Sequence, residues 1–172
     1  EKASLASKRV NNIIDTMTYT VYRYINRGLY EKDKLSFKLI VTLKILLAAG
    51  RLEENDVTLL LKGGAAVADV SEDNMWTPLH RAALDGHTAV VKLLLGAGAP
   101  HAVRDRDGDT PLHDAARNGH LPVAKALVAA GAAVDARNHQ GMTPIDLAKK
   151  ANRTVVTEFL QLKQRMRVGN SS

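Results

Sequence analysis

Apolar positions near the start of the chain recur at spacings of three and four: Val10, Ile13, Ile14, Met17, Val21, Tyr24 and Ile25. That period predicts an amphipathic helix, with a stop at Arg27-Gly28. A second helix is predicted from Asp33, carrying Leu35, Leu39, Leu43 and Leu46 on one face, widened by Ile40 and Leu47. It ends at Gly50, a residue that tolerates the left-handed conformation after a helix C-terminus. A third helix, from Glu53 to Lys62, has acids in its first turn, where the helix dipole favours them, and Gly63-Gly64 after its end. Three helices of this size make a marginal core, so their apolar faces call for a neighbour.

After Gly64 the pattern becomes a repeat. Thr77-Pro78-Leu79-His80 returns as Thr110-Pro111-Leu112-His113 and, altered, as Thr143-Pro144-Ile145-Asp146, each time 33 residues on. Ala82, Ala115 and Ala148 keep that phase, as do Gly86-His87 and Gly119-His120, Val90, Val123 and Val156, and Leu94, Leu127 and Leu160. Each match has a physical job. The threonine hydroxyl can cap a first helix, and proline fits its first turn because no N–H is needed there. The pairs Ala82-Ala83 and Ala115-Ala116 let neighbouring helices approach closely. Val90, Val91, Leu94 and Leu95 give a second helix its apolar face, and Gly98 ends it. Asp107-Gly108 signals a hairpin turn. Met75 stands where Gly108 and Gly141 sit in the next two tips.

Composition sharpens the division. Of 24 alanines, four lie before Gly63 and 20 after Gly64, whereas all four tyrosines and Phe37 fall within the first 37 residues. The 172 residues are 45% hydrophobic but only 4% aromatic, so aliphatic residues must supply the core, and an aromatic stacking platform for single-stranded nucleic acid is disfavoured. The formal charge is +6, yet Lys and Arg are spread along the chain: 11 against 7 acids up to residue 62, and 13 against 11 afterwards. No basic run stands out, and nucleic acid is not an expected partner. The charged start, Glu1 to Lys8, lacks a signal-peptide core. The most apolar stretch, Leu35 to Ala49, is broken by Lys38 and Lys44, so no membrane is expected either. Absence of cysteine excludes disulfides and thiolate chemistry, and a cytoplasmic setting is expected.

The second part, residues 66 to 162, resembles the ankyrin repeat, whose unit is 33 residues with TPLH opening its first helix. Two near-complete copies are followed by a capping copy, in which Asp146 replaces histidine, Asn152-Arg153 replaces Gly-His, and Gln161 and Gln164 stand where Leu95 and Gly98 do earlier. Such polar departures suit a terminal repeat facing water. The first part, residues 3 to 66, is similar to axonemal dynein heavy chains on the run NNIIDTMTYTVYRYINRGLYEKDKL from Asn11 to Leu35. Leu43-Lys44-Ile45-Leu46 and Lys62-Gly63-Gly64-Ala65-Ala66 extend the similarity. It corresponds to a region between the fifth and sixth AAA+ modules.

No phosphate-binding GxxxxGK[ST] motif occurs, so the chain carries no ATPase machinery of its own. The histidines follow the repeat: His80 with His113, and His87 with His120. The ankyrin resemblance implies that they bond neighbouring backbone, while His101 and His139 are expected to be solvated. Asp105, Asp107 and Asp109 alternate as in a calcium loop, but the required glutamate twelve positions along is Ala116, leaving a solvated tip as the reading. No catalytic, metal or cofactor-binding residue is assigned.

The expected architecture is therefore all-α: a helical segment of about three helices over 1–65, a short ankyrin solenoid with hairpin tips over 66–162, and a disordered polar tail over 163–172. The expected function is non-catalytic protein binding by the tips and first helices, as the resemblance implies. Contact positions in the first repeat are Asp73, Asn74, Trp76, Leu84 and Asp85. In the second they are Arg106, Asp107, Asp109, Arg117 and Asn118, and in the third His139, Gln140, Met142 and Lys150. Trp76 is the leading candidate, because the period does not demand an aromatic there and tryptophan is enriched at interface hot spots; the competing reading has it covering the junction with the preceding helices. The alternative function is a fragment of, or fusion to, a dynein heavy chain, which implies dynein or axonemal partners and a place in the cilium, axoneme or cytoskeleton.

Overall fold

The computed structural model describes residues 75–169, with side chains through 167, and before them 57, 58, 61, 67 and 68. The chain divides into two compact units, Glu1–Ala66 and Val67–Ser172. In the first, Val57, Thr58 and Leu61 are helical, inside the third predicted helix, and Val57 is buried. The other two predicted helices lie outside the described residues.

Among the described residues of the second unit six helices follow one another: α1 Pro78–Asp85, α2 Thr88–Gly96, α3 Pro111–Asn118, α4 Leu121–Ala129, α5 Pro144–Lys150 and α6 Thr154–Gly169. No strand occurs among the described residues, and the fold is the all-α repeat that the period predicts. The helices form two layers. α1, α3 and α5, the inner helices, stack in one, and α2, α4 and α6, the outer helices, in the other, with each pair closed as a helical hairpin.

The repeated residues build the core. Leu79, Leu112 and Ile145 are buried between the layers with Leu94, Leu127 and Leu160. Full burial of such a side chain contributes roughly 1.5–3 kcal/mol. Ala82, Ala83, Ala115, Ala116 and Ala148 are fully buried where the inner helices meet, so small volume sets the stacking distance. Thr77, Thr110 and Thr143 are extended N-caps with proline behind them, and each forms a capping box with the residue three positions on.

The link between helices is the same in all three repeats. His87, His120 and Arg153 donate their backbone N–H to the carbonyls of Ala82, Ala115 and Ala148 at 3.0, 2.9 and 2.8 Å. The residue before each is left-handed: Gly86 at φ 79°, Gly119 at φ 83° and Asn152 at φ 56°. The third repeat thus keeps the turn without glycine, using the residue type that best tolerates that conformation. A Cβ on Gly86 would lie 2.6 Å from the His120 ring, and one on Gly119 2.8 Å from Arg153 Cδ.

The expected tail requires correction. α6 continues through Gly169, so residues 163 to 169 are helical. Lys163, Gln164, Arg165, Met166 and Arg167 all favour helix, and no proline or internal glycine interrupts them.

Candidate protein-binding face

The tips project from the ends of the inner helices. In the second, the Asp105 N–H donates to Asp109 carbonyl at 2.9 Å and the Gly108 N–H to Asp105 carbonyl at 3.0 Å. The third repeats this with Asn138, Met142 and Gly141 at 3.0 and 2.9 Å. Gly108 and Gly141 are left-handed, and Met75 adopts the same sign of φ at 56°. Methionine therefore occupies the glycine position of the first tip in the conformation the turn requires.

The second and third tips are each organised by one buried side chain. Asp105 Oδ1 accepts from the N–H groups of Asp107 and Asp109 at 2.9 and 2.8 Å. Asn138 Oδ1, one repeat on, accepts from Gln140 and Met142 at 3.1 and 2.9 Å. Such side-chain turns are what Asp and Asn do best. Asp105, Asp109 and Asn138 are buried, and only Asp107 of the three alternating aspartates is exposed.

Neighbouring repeats are bonded through a constant offset. Trp76 Nε1–H donates to Asp105 Oδ2 at 3.0 Å, and Asn138 Nδ2–H to Asp109 Oδ1 at 2.7 Å, both across 29 residues. His80 Nε2–H reaches the Asp109 carbonyl at 3.2 Å, and His113 Nε2–H that of Met142 at 3.1 Å. The tautomer follows from the other ring nitrogen. Backbone N–H groups of Thr77 and Thr110 can only donate, so Nδ1 of each histidine accepts, at 3.1 Å in both repeats. Burial pushes the pKa of both rings down, holding them neutral. With both nitrogens engaged, neither is free for metal or proton transfer. In the third repeat Asp146 keeps the capping half of this role, accepting from the Thr143 N–H at 2.9 Å and its hydroxyl at 2.7 Å.

A second linkage runs backwards. His120 Nε2–H donates to Leu84 carbonyl at 2.9 Å, and Arg153 Nε–H, at the same register, to Arg117 carbonyl at 3.2 Å. Arg104 joins tip to tip, donating to Gly108 carbonyl at 2.9 Å and Arg137 carbonyl at 2.5 Å.

The sequence-derived contact residues separate into groups. Arg106, Asp107, His139, Gln140 and Lys150 are exposed along the tips and inner-helix ends. Trp76, Leu84, Asp85, Arg117, Asn118 and Met142 are half-buried. Several are engaged internally: Asp85 with Arg81 at 2.7 Å, and Asn118 with Asp114 carbonyl at 2.9 Å. Asp109 does not present itself to a partner. It is 1% exposed, with its carboxylate bonded to Arg117 and Asn138, and it supports the face from beneath. Asp73 and Asn74 lie outside the described residues. His101, expected to be solvated, is half-buried with Nδ1 shielded from solvent.

The residue that sequence reading missed is Asp114. It lies on α3 at the register of Arg81 and Leu147, and is 1% exposed. Its Oδ1 is 3.6 Å from Arg117 Nη1, while Oδ2 has no hydrogen-bond partner. Burial pushes its carboxyl up to about 8; Arg117 opposes this, and Asp109, Asp105 and Asp107 add to it. The only signal in the sequence was three different residue types at one inner-helix position. Among the described residues no group of His, Cys, Asp or Glu could hold a metal, and no helix is long and apolar enough to cross a membrane.

Helical hairpins, tips and inter-repeat bonds of this register define a repeat solenoid. The family described as ankyrin repeats (3 copies) matches residues 43–138 and 98–169, and the chain belongs to that family. The match begins earlier than residue 66, where the TPLH register placed the first copy. A second likeness is to dynein heavy chains. The chain is 49% identical over 67 residues to the dynein gamma chain of the flagellar outer arm of Chlamydomonas reinhardtii, covering 39% of this chain and 2% of that one. It is 48% identical over 67 residues to dynein axonemal heavy chain 8 of Homo sapiens, with the same coverage. The chain therefore spans about one fiftieth of the length of these curated relatives.

Proposed function

We propose that the chain is a non-catalytic protein-binding module that grips its partner with the hairpin tips and inner-helix ends. One observation carries this reading: the apolar core positions repeat, whereas five registers at the tips and inner-helix ends do not. Buried positions recur as Leu79, Leu112 and Ile145, or Val90, Val123 and Val156. At the tips and inner-helix ends the registers instead read Arg106 and His139, Asp107 and Gln140, or Leu84, Arg117 and Lys150. A surface freed from packing demands is where binding specificity resides in a repeat protein. The test is affinity purification from ciliated cells with wild type beside an Asp107→Lys, Gln140→Glu, Lys150→Glu variant, all three sites being exposed. Partners retained by wild type alone support the face; an identical set on both proteins places binding elsewhere.

The dynein likeness favours a second reading, in which the chain is a fragment of, or fusion to, an axonemal dynein heavy chain, acting beside dynein or axonemal components in the cilium. A continuous message across codons 55 to 80 supports the fusion, and its absence removes it.

A further inference from the structure

The outer helix of the third repeat presents a surface that the second lacks. Where α4 and its following loop have Pro122, Ala126, Ala129 and Ala133, the third repeat has Val155, Phe159, Leu162 and Met166. Packing of the solenoid does not require the larger side chains, since small ones fill the same positions one repeat earlier. Their spacing of four, three and four aligns them along one side of α6. Val155, Leu162 and Met166 are 59%, 52% and 55% exposed, three of the four large apolar residues so exposed among the described residues.

A cleft adjoins the Met166 end of this stripe, and the flank of the stripe is basic. Beside Met166, the end of α4 and its following loop form a cleft of about 500 Å³ with Val128, Ala132 and Val134 on its wall and Lys163 at its rim. The Nζ atoms of Lys125 and Lys163 lie 6.0 and 5.9 Å from the Phe159 ring centroid, holding two cations beside the stripe. Arg165 and Arg167 follow on α6, against the acids Glu158 and Asp135, the latter 3.8 Å from Arg167. A fourth repeat is not the occupant this helix is built for. Val128 of α4 faces α6, but the corresponding α6 residue is Gln161, flanked by Thr157 and Gln164.

We propose that this face, distinct from the tip-and-inner-helix face, docks an acidic amphipathic helix of a partner protein. Apolar side chains repeating every three or four residues seat along Val155, Phe159 and Leu162, and one enters the cleft beside Met166. Flanking carboxylates meet Lys125 and Lys163. The cleft at the Met166 end calls for a projecting side chain, which a helix supplies and a flat lipid surface does not, and the cations favour an acidic partner over a second copy of this basic stripe.

The probe is a fluorescein-labelled peptide of three heptads, leucine at a and d and glutamate at e and g, titrated against the full chain by anisotropy. Saturable binding is expected. It should weaken at least about tenfold when lysine replaces glutamate in the peptide, or with Leu162→Glu/Met166→Glu in the protein. Lys125→Glu/Lys163→Glu should reverse the preference between the two peptides, and it decides the matter if the apolar double variant fails to fold. Equal affinity for both peptides, or no saturation up to about 1 mM, overturns the proposal. So does self-association abolished by Leu162→Glu, which assigns the face to a second copy. Sedimentation with phosphatidylserine vesicles in place of peptide binding assigns it to a membrane.

Discussion

Trp76 donates its indole N–H to Asp105 Oδ2, 3.0 Å away and 29 residues on, and Asn138 donates to Asp109 along the same offset in the opposite sense of sequence. The tryptophan thus has a place in the bonding between repeats as well as a half-exposed ring. Trp76→Phe keeps an aromatic ring but removes the donor and part of the indole's bulk, leaving the buried Asp105 carboxylate short of one hydrogen bond. The expected loss is roughly 1–3 kcal/mol in urea unfolding followed by circular dichroism. An unchanged midpoint would mean that the bond adds nothing net.

His80 and His113 each join a cap to the carbonyl of the next repeat, and both are neutral when folded. Their folded pKa lies below the ordinary 6.5, so the unfolded chain binds more protons as pH falls through that value. The contribution is complete above pH 6.5 and is lost as pH drops toward the folded pKa. His113→Asn keeps a neutral acceptor for the Thr110 cap but loses the donor to Met142 and does not titrate. An aspartate, as at the exposed Asp146, would bury a charge at this fully buried position. The asparagine variant is expected to cost roughly 1–2 kcal/mol at pH 7.5 and to reduce the loss of stability between pH 6.5 and 5.

The inter-helix turn gives a pair of opposite outcomes. Gly119→Ala places a Cβ at φ 83° and 2.8 Å from Arg153 Cδ, and should cost more than about 1 kcal/mol. Asn152→Gly relieves a left-handed non-glycine residue and should gain up to about 1 kcal/mol. Paired thermal unfolding of the two variants checks both signs.

The helices and their caps were legible because one set of residues recurs every 33 positions, and repetition marks the packing role of each. The turn at Asn152 and the Arg153 bond were not, since they appear in sequence as departures from Gly-His, and only geometry shows that they perform the same tasks. Offsets of 29 and 36 residues were hidden for a related reason: they join different positions of neighbouring repeats, so no period reports them. The tips misled because alternating aspartates look solvated, whereas two of the three turn inward: Asp105 to accept from backbone N–H groups, and Asp109 to accept from the Arg117 and Asn138 side chains. Helix α6 outran its expected end because the repeat register stops before the helix-favouring residues do.

Asp114 shows how a residue outside the register can control the stability of the stack. Its carboxyl is pushed up to about 8 in the fold from an unfolded value of 3.8. The folded chain therefore binds the extra proton between these values, and the sign is opposite to that of the histidines: folding becomes less favourable as pH rises from 3.8 to about 8. Asp114→Asn removes the titrating group at nearly constant volume and supplies a neutral amide beside Arg117. It should raise stability by roughly 1–3 kcal/mol at pH 8, and by progressively less toward pH 4. Urea midpoints of wild type and variant at pH 5, 6.5 and 8 measure this directly; parallel curves would mean that Asp114 is ionised throughout and that its pairing with Arg117 outweighs its burial.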